Sequence, residues 1–373
     1  MNELPLNQVL CGDNREVMKT LPGDSIDLAV TSPPYWGLRD YGLGENQLGL
    51  EPHPQQYIDN LVEISKEIRR VIKPRGSYWL NLGDTYYGSG KGAGGDGSAK
   101  ERYIPDVNPI KQNLRSNWLQ PKQLLGIPWR VATALQEDGW ILRNCMVWYK
   151  RNHMPESVRD RLTKSYEFFF FFVKQRKYYF NLDRIRQPYA ESSIQRLTQP
   201  TIMQQMGGNK QHELYGDAPG HGNRPADILK GLAEKYDTKF DTPTQYNQYQ
   251  QRMAQARKDG KPHDNALGNP KGKNPGDMWD IPTYPFPGAH FAVFPPALIE
   301  PIIKAGCPKN GVVLDPFAGS GTALRVARKL GWRFIGIEIN PEYAEMCERR
   351  VRADTYTPPP EGVPILTEML DRE

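Results

Sequence analysis

A chain of 373 residues, 38% hydrophobic and 24% charged, has enough material for one large domain with a substantial core, and its composition is that of an ordinary globular protein. No apolar run reaches the roughly 20 residues that cross a bilayer, and the four cysteines, Cys11, Cys145, Cys307 and Cys347, lack any C-x-x-C spacing, which argues against a disulfide framework or a zinc cluster. The net charge is +5, yet ten basic residues stand against four acidic ones between Lys150 and Arg186, a local excess that suits a phosphate-rich partner.

The first stretch, MNELPLNQVLCGD, has neither the basic nor the apolar region of a secretory signal, so a cytoplasmic protein is expected. Residues 9–11 read as a short strand that stops at Gly12-Asp13, and 15–21 as a short helix closed by Pro22-Gly23-Asp24. The apolar run 26–30 reads as a buried strand that delivers Thr31-Ser32-Pro33-Pro34-Tyr35-Trp36. A glycine-punctuated stretch to Leu50 reads as a mobile rim. Apolar positions 58, 61, 62, 68, 71 and 72 form one helical stripe over 57–72, closed by Pro74 and Gly76, with a strand over 78–82 behind it. This alternation predicts a parallel α/β sheet with helices on its faces.

Residues 88–98, GSGKGAGGDGS, are glycine-rich low complexity without the G-K-[ST] of a phosphate loop, and with the polar run towards Trp118 they read as a surface insertion. A helix follows over 124–135, then two apolar strands over 141–149 and 166–173; five consecutive phenylalanines, Phe168 to Phe172, suit a strand buried on both faces. Residues 191–277 differ in kind, being rich in Gln, Asn, Gly, Pro and Lys, with a helical pattern only over 228–236. Tyr215, Tyr236, Tyr246 and Tyr249, set among amides, suit contacts to base edges, sugar or phosphate, the alternative being a spacer without fixed structure. Order resumes at 278–281, followed by a helix over 297–305, a strand over 312–314 reaching Asp315, a glycine loop, a helix over 323–330, a strand over 334–337 ending in Glu338, a helix over 342–351 and a proline-rich tail.

Two of these stretches carry chemistry. Consecutive prolines fix their own φ and bias the residues before them away from helix, so the carbonyls of Ser32 and Pro33 point in set directions. A serine hydroxyl, a fixed carbonyl and an aromatic face can grip a planar base by its NH2 edge and stack on its ring; a plain turn has the same sequence. The strand, glycine loop, helix and strand over 312–338 form half of a Rossmann unit. Gly319 and Gly321 let the backbone approach a ligand, and Glu338, nineteen residues after Gly319, can accept hydrogen bonds from ribose hydroxyls. Leu324 stands where a dinucleotide fingerprint has its third glycine, so a nucleoside without pyrophosphate is the better guest.

Together, DPFAGSGT at 315–322 and TSPPY at 31–35 resemble the cofactor and catalytic motifs of amino-type DNA methyltransferases, which methylate the exocyclic amine of cytosine or adenine with S-adenosylmethionine. Catalytic motif first and cofactor motif near the C-terminus is similar to the permuted subclass called beta. The resemblance implies a Rossmann-like α/β methyltransferase fold with permuted motif order: a catalytic part over 1–190 with the glycine-rich insertion at about 86–118, an inserted target-recognition region over 191–277, a cofactor-binding part over 278–355 and a tail over 356–373. It implies Ser32, Pro33, Pro34 and Tyr35 as the catalytic set, and Asp13, His290, Asp315, Phe317, Gly319, Gly321, Thr322 and Glu338 around S-adenosylmethionine, with no metal. Val147 to Lys150, Met154 to Ser157 and Ser165 to Glu167 resemble a strand pair and loop that help to accept a flipped base, and His290 to Pro295 the segment that closes over the methionine end of the cofactor. Expected partners are double-stranded DNA and a cognate restriction endonuclease, with monomer and homodimer both open, in a prokaryotic or phage-infected cell. Serine at the first catalytic position goes with cytosine N4 in this family, and aspartate or asparagine with adenine N6. Cytosine N4 is therefore expected and adenine N6 is the alternative. An RNA or protein amine methyltransferase, a catalytically silent DNA-binding protein and an NAD-linked oxidoreductase are the readings from other classes.

Overall fold

The computed structural model describes residues 3–38, 40–43, 47–87, 119–120, 122–190, 271–283 and 293–353. By its internal contacts the chain divides into two units, Met1–Asn181 with Asp277–Ile365, and Leu182–Gly276 with Leu366–Glu373. In the second unit the described residues form a single helical turn, Leu182–Arg184, and a bridge between Gln187 and Lys273, with Asp183 paired to both Arg186 and Lys271. The glycine-rich segment 88–98, the helix expected at 228–236, the four tyrosines near it and His290 lie outside the described residues.

The first unit is a sheet of eight strands between two layers of helices. In chain order the elements are β1 (Gln8–Cys11), α1 (Asn14–Thr20), β2 (Ile26–Thr31), α2 (Pro54–Val71), β3 (Ile72–Leu82), α3 (Ile127–Glu137), β4 (Ile141–Tyr149), β5 (Tyr166–Val173), β6 (Met278–Asp280), α4 (Pro296–Gly306), β7 (Val312–Asp315), α5 (Thr322–Lys329), β8 (Arg333–Glu338) and α6 (Pro341–Arg352). The strand order is β1-β8-β7-β2-β3-β5-β4-β6. β1, β8, β7, β2 and β3 run parallel, whereas β5 is antiparallel to both of its neighbours. The sheet is thus mixed rather than wholly parallel. The reason is local: β4 and β5 follow one another without a helix between them, and the Lys150 N–H bonding to the Ser165 carbonyl at 2.7 Å closes them as a hairpin, which reverses direction.

Each layer follows from the pattern of its residues. α2, capped by His53 with Pro54 in its first turn, buries Tyr57, Ile58, Leu61, Ile64, Ile68 and Val71 at three- and four-residue spacing. Those side chains join Met18 of α1, Val131 and Leu135 of α3, and Phe170 and Phe172 in one core. Phe169 and Phe171 point the other way, into a second core with Leu298, Ile299, Ile302 and Ile303 of α4, Leu324 of α5 and Cys347 of α6. The phenylalanine run therefore feeds both cores, as alternation along a strand requires. Trp79 stacks on Phe171 with centroids 4.3 Å apart and planes 11° from parallel.

α2 ends at Val71, and β3 begins at the next residue, six positions before the strand read from the sequence. Pairing with β2 jumps from Ile26↔Ile72 to Leu28↔Ser77, so the residues around Pro74 are absorbed as a bulge. Gly76 is required there, because a Cβ would lie 2.6 Å from Ile72 Cγ2 and 2.8 Å from the Asp27 carbonyl oxygen. No helix among the described residues is long and apolar enough to cross a membrane.

Candidate active site

Parallel strands end at a common edge, and that edge collects the chemistry. β1 ends before Gly12-Asp13, β8 at Glu338, β7 at Asp315, β2 at Thr31 and β3 before Gly83-Asp84. β5, running backwards, starts at the same edge with Tyr166 and Glu167, and β4 ends there before Lys150. Between these loops lies a cleft of about 1510 Å³, lined by Ser32 to Tyr35 on one side and by Asp13, Asp315 to Ser320, Thr322 and Glu338 on another.

A buried hydrogen bond joins the two predicted motifs. Leu28 and Ala29 of β2 pair with Val313 and Leu314 of β7, which brings the strand ends level, and the Thr31 hydroxyl donates to Asp315 Oδ1 at 2.6 Å. The same oxygen accepts the Phe317 N–H at 3.1 Å. Burial pushes the Asp315 carboxyl up to about 7, against these two hydrogen bonds and with help from the nearby charge of Glu338. A second tie comes from Asn14, whose amide donates to the Pro316 carbonyl at 3.0 Å and docks the start of α1 on the glycine loop.

The glycine loop is a tight strand-to-helix turn. Gly319 and Gly321 have φ of 50° and 77°, and Gly321 caps α5. A Cβ on Gly321 would lie 2.5 Å from Cys347 Sγ. Gly336 of β8 admits Leu324: a Cβ there would lie 2.3 Å from Leu324 Cδ1. Close helix–strand packing, which a third glycine on the helix provides in dinucleotide folds, is here supplied by a glycine on the strand. Glu338 accepts the Gly319 N–H at 2.8 Å through Oε2 and the Asn340 N–H at 2.9 Å through Oε1, and burial raises its pKa. A carboxylate has about four acceptor positions, so both oxygens retain capacity for further donors. Asp13 caps α1 and holds Arg15, while Phe317 lines the cleft half-buried against the first core.

This end of the cleft fits a nucleoside-bearing sulfonium. Its acidic residues suit hydroxyl donors and positive charge and disfavour a pyrophosphate. The Thr322 hydroxyl, buried on the wall, finds no hydrogen-bond partner among the described residues. Such an orphan calls for a polar guest. Among the described residues no group of three or more His, Cys, Asp or Glu is placed to hold a metal.

At the other wall, Tyr35 is held rather than loose. Its hydroxyl lies 2.8 Å from Glu167 Oε2, 3.0 Å from Asn81 Oδ1 and 3.3 Å from Ser32 Oγ. Its ring rests against Gly83, where a Cβ would stand 2.6 Å from Tyr35 Cε2. The Pro34 carbonyl is taken by the Tyr57 hydroxyl at 2.8 Å, which pins the loop to α2. Trp36 is buried, with its indole N–H on the Glu51 carbonyl at 2.8 Å, and packs instead of facing the cleft. Around the mouth stand exposed apolar side chains, Trp129, Tyr166, Met154 and Leu162, interleaved with Lys150 and Lys164. Asp84 caps α3 by accepting the Gly126 and Ile127 N–H groups at 3.0 and 3.1 Å.

The structure thus brings Ser32, Pro33, Pro34, Tyr35, Asp13, Asp315, Phe317, Gly319, Thr322 and Glu338 to one cleft, with Gly321 shaping the turn behind it. Asn14, Asn81 and Gly83 went unnoticed in the sequence, Thr31 was noticed as part of its motif without a partner, and Glu167 and Lys150 were noticed only within segments resembling a base-accepting loop. A polar residue at a strand end on the edge where the parallel strands finish is the signal that finds Thr31, Asn81, Glu167 and Lys150; Asn14 and Gly83 carry no such signal.

A family model described as DNA methylase, of the N6/N4 type, matches residues 26–349. Type II methyltransferase M.SfiI of Streptomyces fimbriatus is 36% identical over 93% of this chain and 91% of that protein. Type II methyltransferase M.SmaI of Serratia marcescens is 34% identical over 92% and 90%. In solved structures, PvuII DNA methyltransferase (cytosine-N4-specific) shares the fold, with a TM-score of 0.54 at 15% identity over 94% of this chain and 87% of that one. The chain belongs to the N6/N4 DNA methylase family and is an S-adenosylmethionine-dependent DNA methyltransferase of the type II kind.

Proposed function

We propose that the chain methylates the N4 amine of a cytosine extruded from duplex DNA, with Ser32, Pro33, Pro34 and Tyr35 receiving the base. The observation that carries this reading is the Thr31–Asp315 hydrogen bond at 2.6 Å, because it locks the amine-gripping loop and the nucleoside-binding loop into one cleft. That cleft, about 1510 Å³, exceeds the 300–1,000 Å³ usual for one small ligand, as befits two guests. Serine at the first catalytic position favours cytosine over adenine.

S-adenosylmethionine, when bound, supplies an electrophilic methyl group on a sulfonium. Asp13, Asp315, Phe317, Gly319, Gly321, Thr322 and Glu338 hold it in this reading, Glu338 through ribose hydroxyls. An exocyclic base amine is a poor nucleophile, its lone pair being delocalised into the ring. Ser32 Oγ and the Pro33 carbonyl accept its two N–H bonds and favour a pyramidal nitrogen with its lone pair free for attack. Ser32 has no basic pKa, so its role is orientation, and the surplus proton leaves to water. Tyr35, anchored at its hydroxyl and backed by Gly83, is a preset platform for the base ring. Extruding the base costs a few kcal/mol, offset by contacts in the cleft and at its aromatic, basic mouth. Residues 191–277 carry target recognition, and a cognate endonuclease accompanies the enzyme.

The test is incubation with mixed-sequence duplex DNA and methyl-labelled S-adenosylmethionine, followed by nucleoside digestion and mass spectrometry. Label in N4-methylcytosine is the expected result. Label in N6-methyladenine would move the reaction to adenine, and label in RNA or protein alone would overturn the reading.

A further inference from the structure

Three side chains around the predicted catalytic set decide which way the Ser32 hydroxyl points. Asn81 donates its Nδ2 to the Phe168 carbonyl at 3.0 Å, which leaves Oδ1 as the atom facing the Tyr35 hydroxyl. Glu167 is ion-paired with Lys150, and a carboxylate accepts only. Both neighbours of the Tyr35 oxygen therefore require its single hydrogen. What remains for its third neighbour, Ser32 Oγ at 3.3 Å, is lone pairs, so Ser32 is the donor in that contact. With its hydrogen turned inward, Ser32 presents lone pairs alone to the cleft. Burial, reinforced by the Glu167 charge, holds the Tyr35 phenol well above its ordinary pKa, which keeps this hydrogen in place across the working pH range.

The anchor of this chain sits on the sheet rather than on the loop. Glu167 is the second residue of β5, directly opposite Trp148 of β4, and the Lys150 ammonium it holds lies 4.3 Å over the Trp148 ring. Glu167 is thus fixed independently of residues 32–35 and imposes its preference on them.

Resting on the reading of the cleft as an amine-methylation site, we infer that Glu167 and Asn81 are positioning residues that together set amine-against-carbonyl discrimination. By drawing the Tyr35 hydrogen to themselves and leaving Ser32 as the donor to Tyr35, they make the cleft accept from a base NH2 and oppose a base carbonyl at the same place. Uracil in place of cytosine, or hypoxanthine in place of adenine, sets lone pair against lone pair. In Glu167→Gln alone Asn81 Oδ1 still takes the Tyr35 hydrogen and the order holds; in the double variant Glu167→Gln/Asn81→Leu the new amide can donate to Tyr35, no acceptor remains for the Tyr35 hydrogen but Ser32, and the Ser32 hydrogen is released towards the cleft.

The test uses the full-length enzyme, S-adenosylhomocysteine and synthetic duplexes carrying, at the mapped methylation site, either the target base or its keto counterpart. Wild-type enzyme is expected to bind the amino duplex about 10- to 100-fold more tightly, the effect of one buried mismatched hydrogen bond. Glu167→Gln/Asn81→Leu is expected to bring that ratio to within about threefold of unity and to lower kcat about 10- to 100-fold, with KM for S-adenosylmethionine moving less than about twofold, whereas Glu167→Gln alone retains most of the preference. Glu167→Asp, which keeps an acceptor, retains most of the preference. Should the double variant lose cofactor binding, Tyr35→Phe decides, since it removes the acceptor for the Ser32 hydrogen and must abolish the preference equally. A wild-type enzyme indifferent to the carbonyl, or a Glu167→Gln/Asn81→Leu variant that keeps the full preference while kcat falls, overturns the inference and leaves the methylation reading standing. A wild-type enzyme that methylates no DNA overturns both.

Discussion

Replacing Thr31 by valine keeps the shape of a fully buried side chain and deletes one hydroxyl, the 2.6 Å donor to Asp315. The Phe317 N–H, at 3.1 Å, is then the hydrogen bond left to that carboxyl among the described residues. Asp315 stands at about 7 in the folded protein, raised from 3.8 mainly by burial, and the Thr31 hydroxyl is the larger of the two hydrogen bonds that hold it down. A folded state that keeps a proton which the unfolded chain has released loses stability as pH rises. Wild-type stability should therefore fall from about pH 4 to about pH 7 on this account and level off above. In Thr31→Val the carboxyl moves higher still, so the decline continues beyond pH 7. At pH 8 the variant has lost a charge-assisted bond, a cost of about 1.5–3 kcal/mol, whereas at pH 5 both proteins hold a neutral acid and the loss is about 0.5–1.5 kcal/mol. Urea unfolding of the ligand-free proteins at pH 5, 6, 7 and 8 measures the difference, which should widen by about 1 kcal/mol over that range. A gap that does not change with pH, or one below about 0.5 kcal/mol at pH 8, would refute the coupling of the two loops through this bond.

The remaining expectations separate the walls of the cleft. Gly83→Ala puts a methyl group 2.6 Å from Tyr35 Cε2 on a ring that its hydroxyl contacts prevent from yielding; kcat should fall about 10- to 100-fold while the dissociation constant of S-adenosylmethionine, followed by calorimetry, stays within about twofold. Gly319→Val does the reverse: a β-branched residue at φ 50° is strained by about 1–3 kcal/mol, and cofactor affinity should drop about tenfold or more, with DNA affinity in a gel-shift assay little changed. Trp129, 47% exposed at the mouth and set edge-on to Phe168 and Phe170, should on change to alanine raise KM for DNA about 5- to 10-fold, as loss of one stacking surface does; a rise confined to KM for S-adenosylmethionine would remove it from the DNA face.

Much of this was legible in the sequence, and the reasons differ from element to element. The α/β order could be read because each element carries its own period: α2 shows its stripe at 58, 61, 68 and 71, and Phe168 to Phe172 announce a strand with two buried faces. The glycine loop and Ser32 to Tyr35 were legible because backbone geometry restricts residue choice at a tight turn. What stayed hidden depends on partners far along the chain. β5 runs antiparallel because of a hairpin closure, not because of anything in its composition. Pro74 reads as a helix stop, yet a bulge opposite Ile26 to Leu28 carries it inside a strand. Thr31 has the look of one more β-branched strand residue until Asp315 is beside it, and Glu167 resembles a solvated acid at a strand end until Tyr35 and Lys150 close on it.

The place of β2 in the sheet also has a consequence for biosynthesis. β2 is buried along its whole length between β3, which follows closely in sequence, and β7, whose pairing residues come 285 positions after its own. At about 5–20 residues per second, a ribosome needs roughly 15–60 s to supply that second neighbour once β2 has emerged. Throughout that interval an apolar strand with one open hydrogen-bonding edge must be kept from wrong partners, and such late, long-range parallel pairing is intrinsically slow. The loop proposed to grip the amine is spelled out by residue 35, yet its buried tie at Thr31 cannot form until Asp315 has been translated and docked. Translation itself thereby imposes a delay between the first appearance of this chain in a cell and the first methyl group it can place.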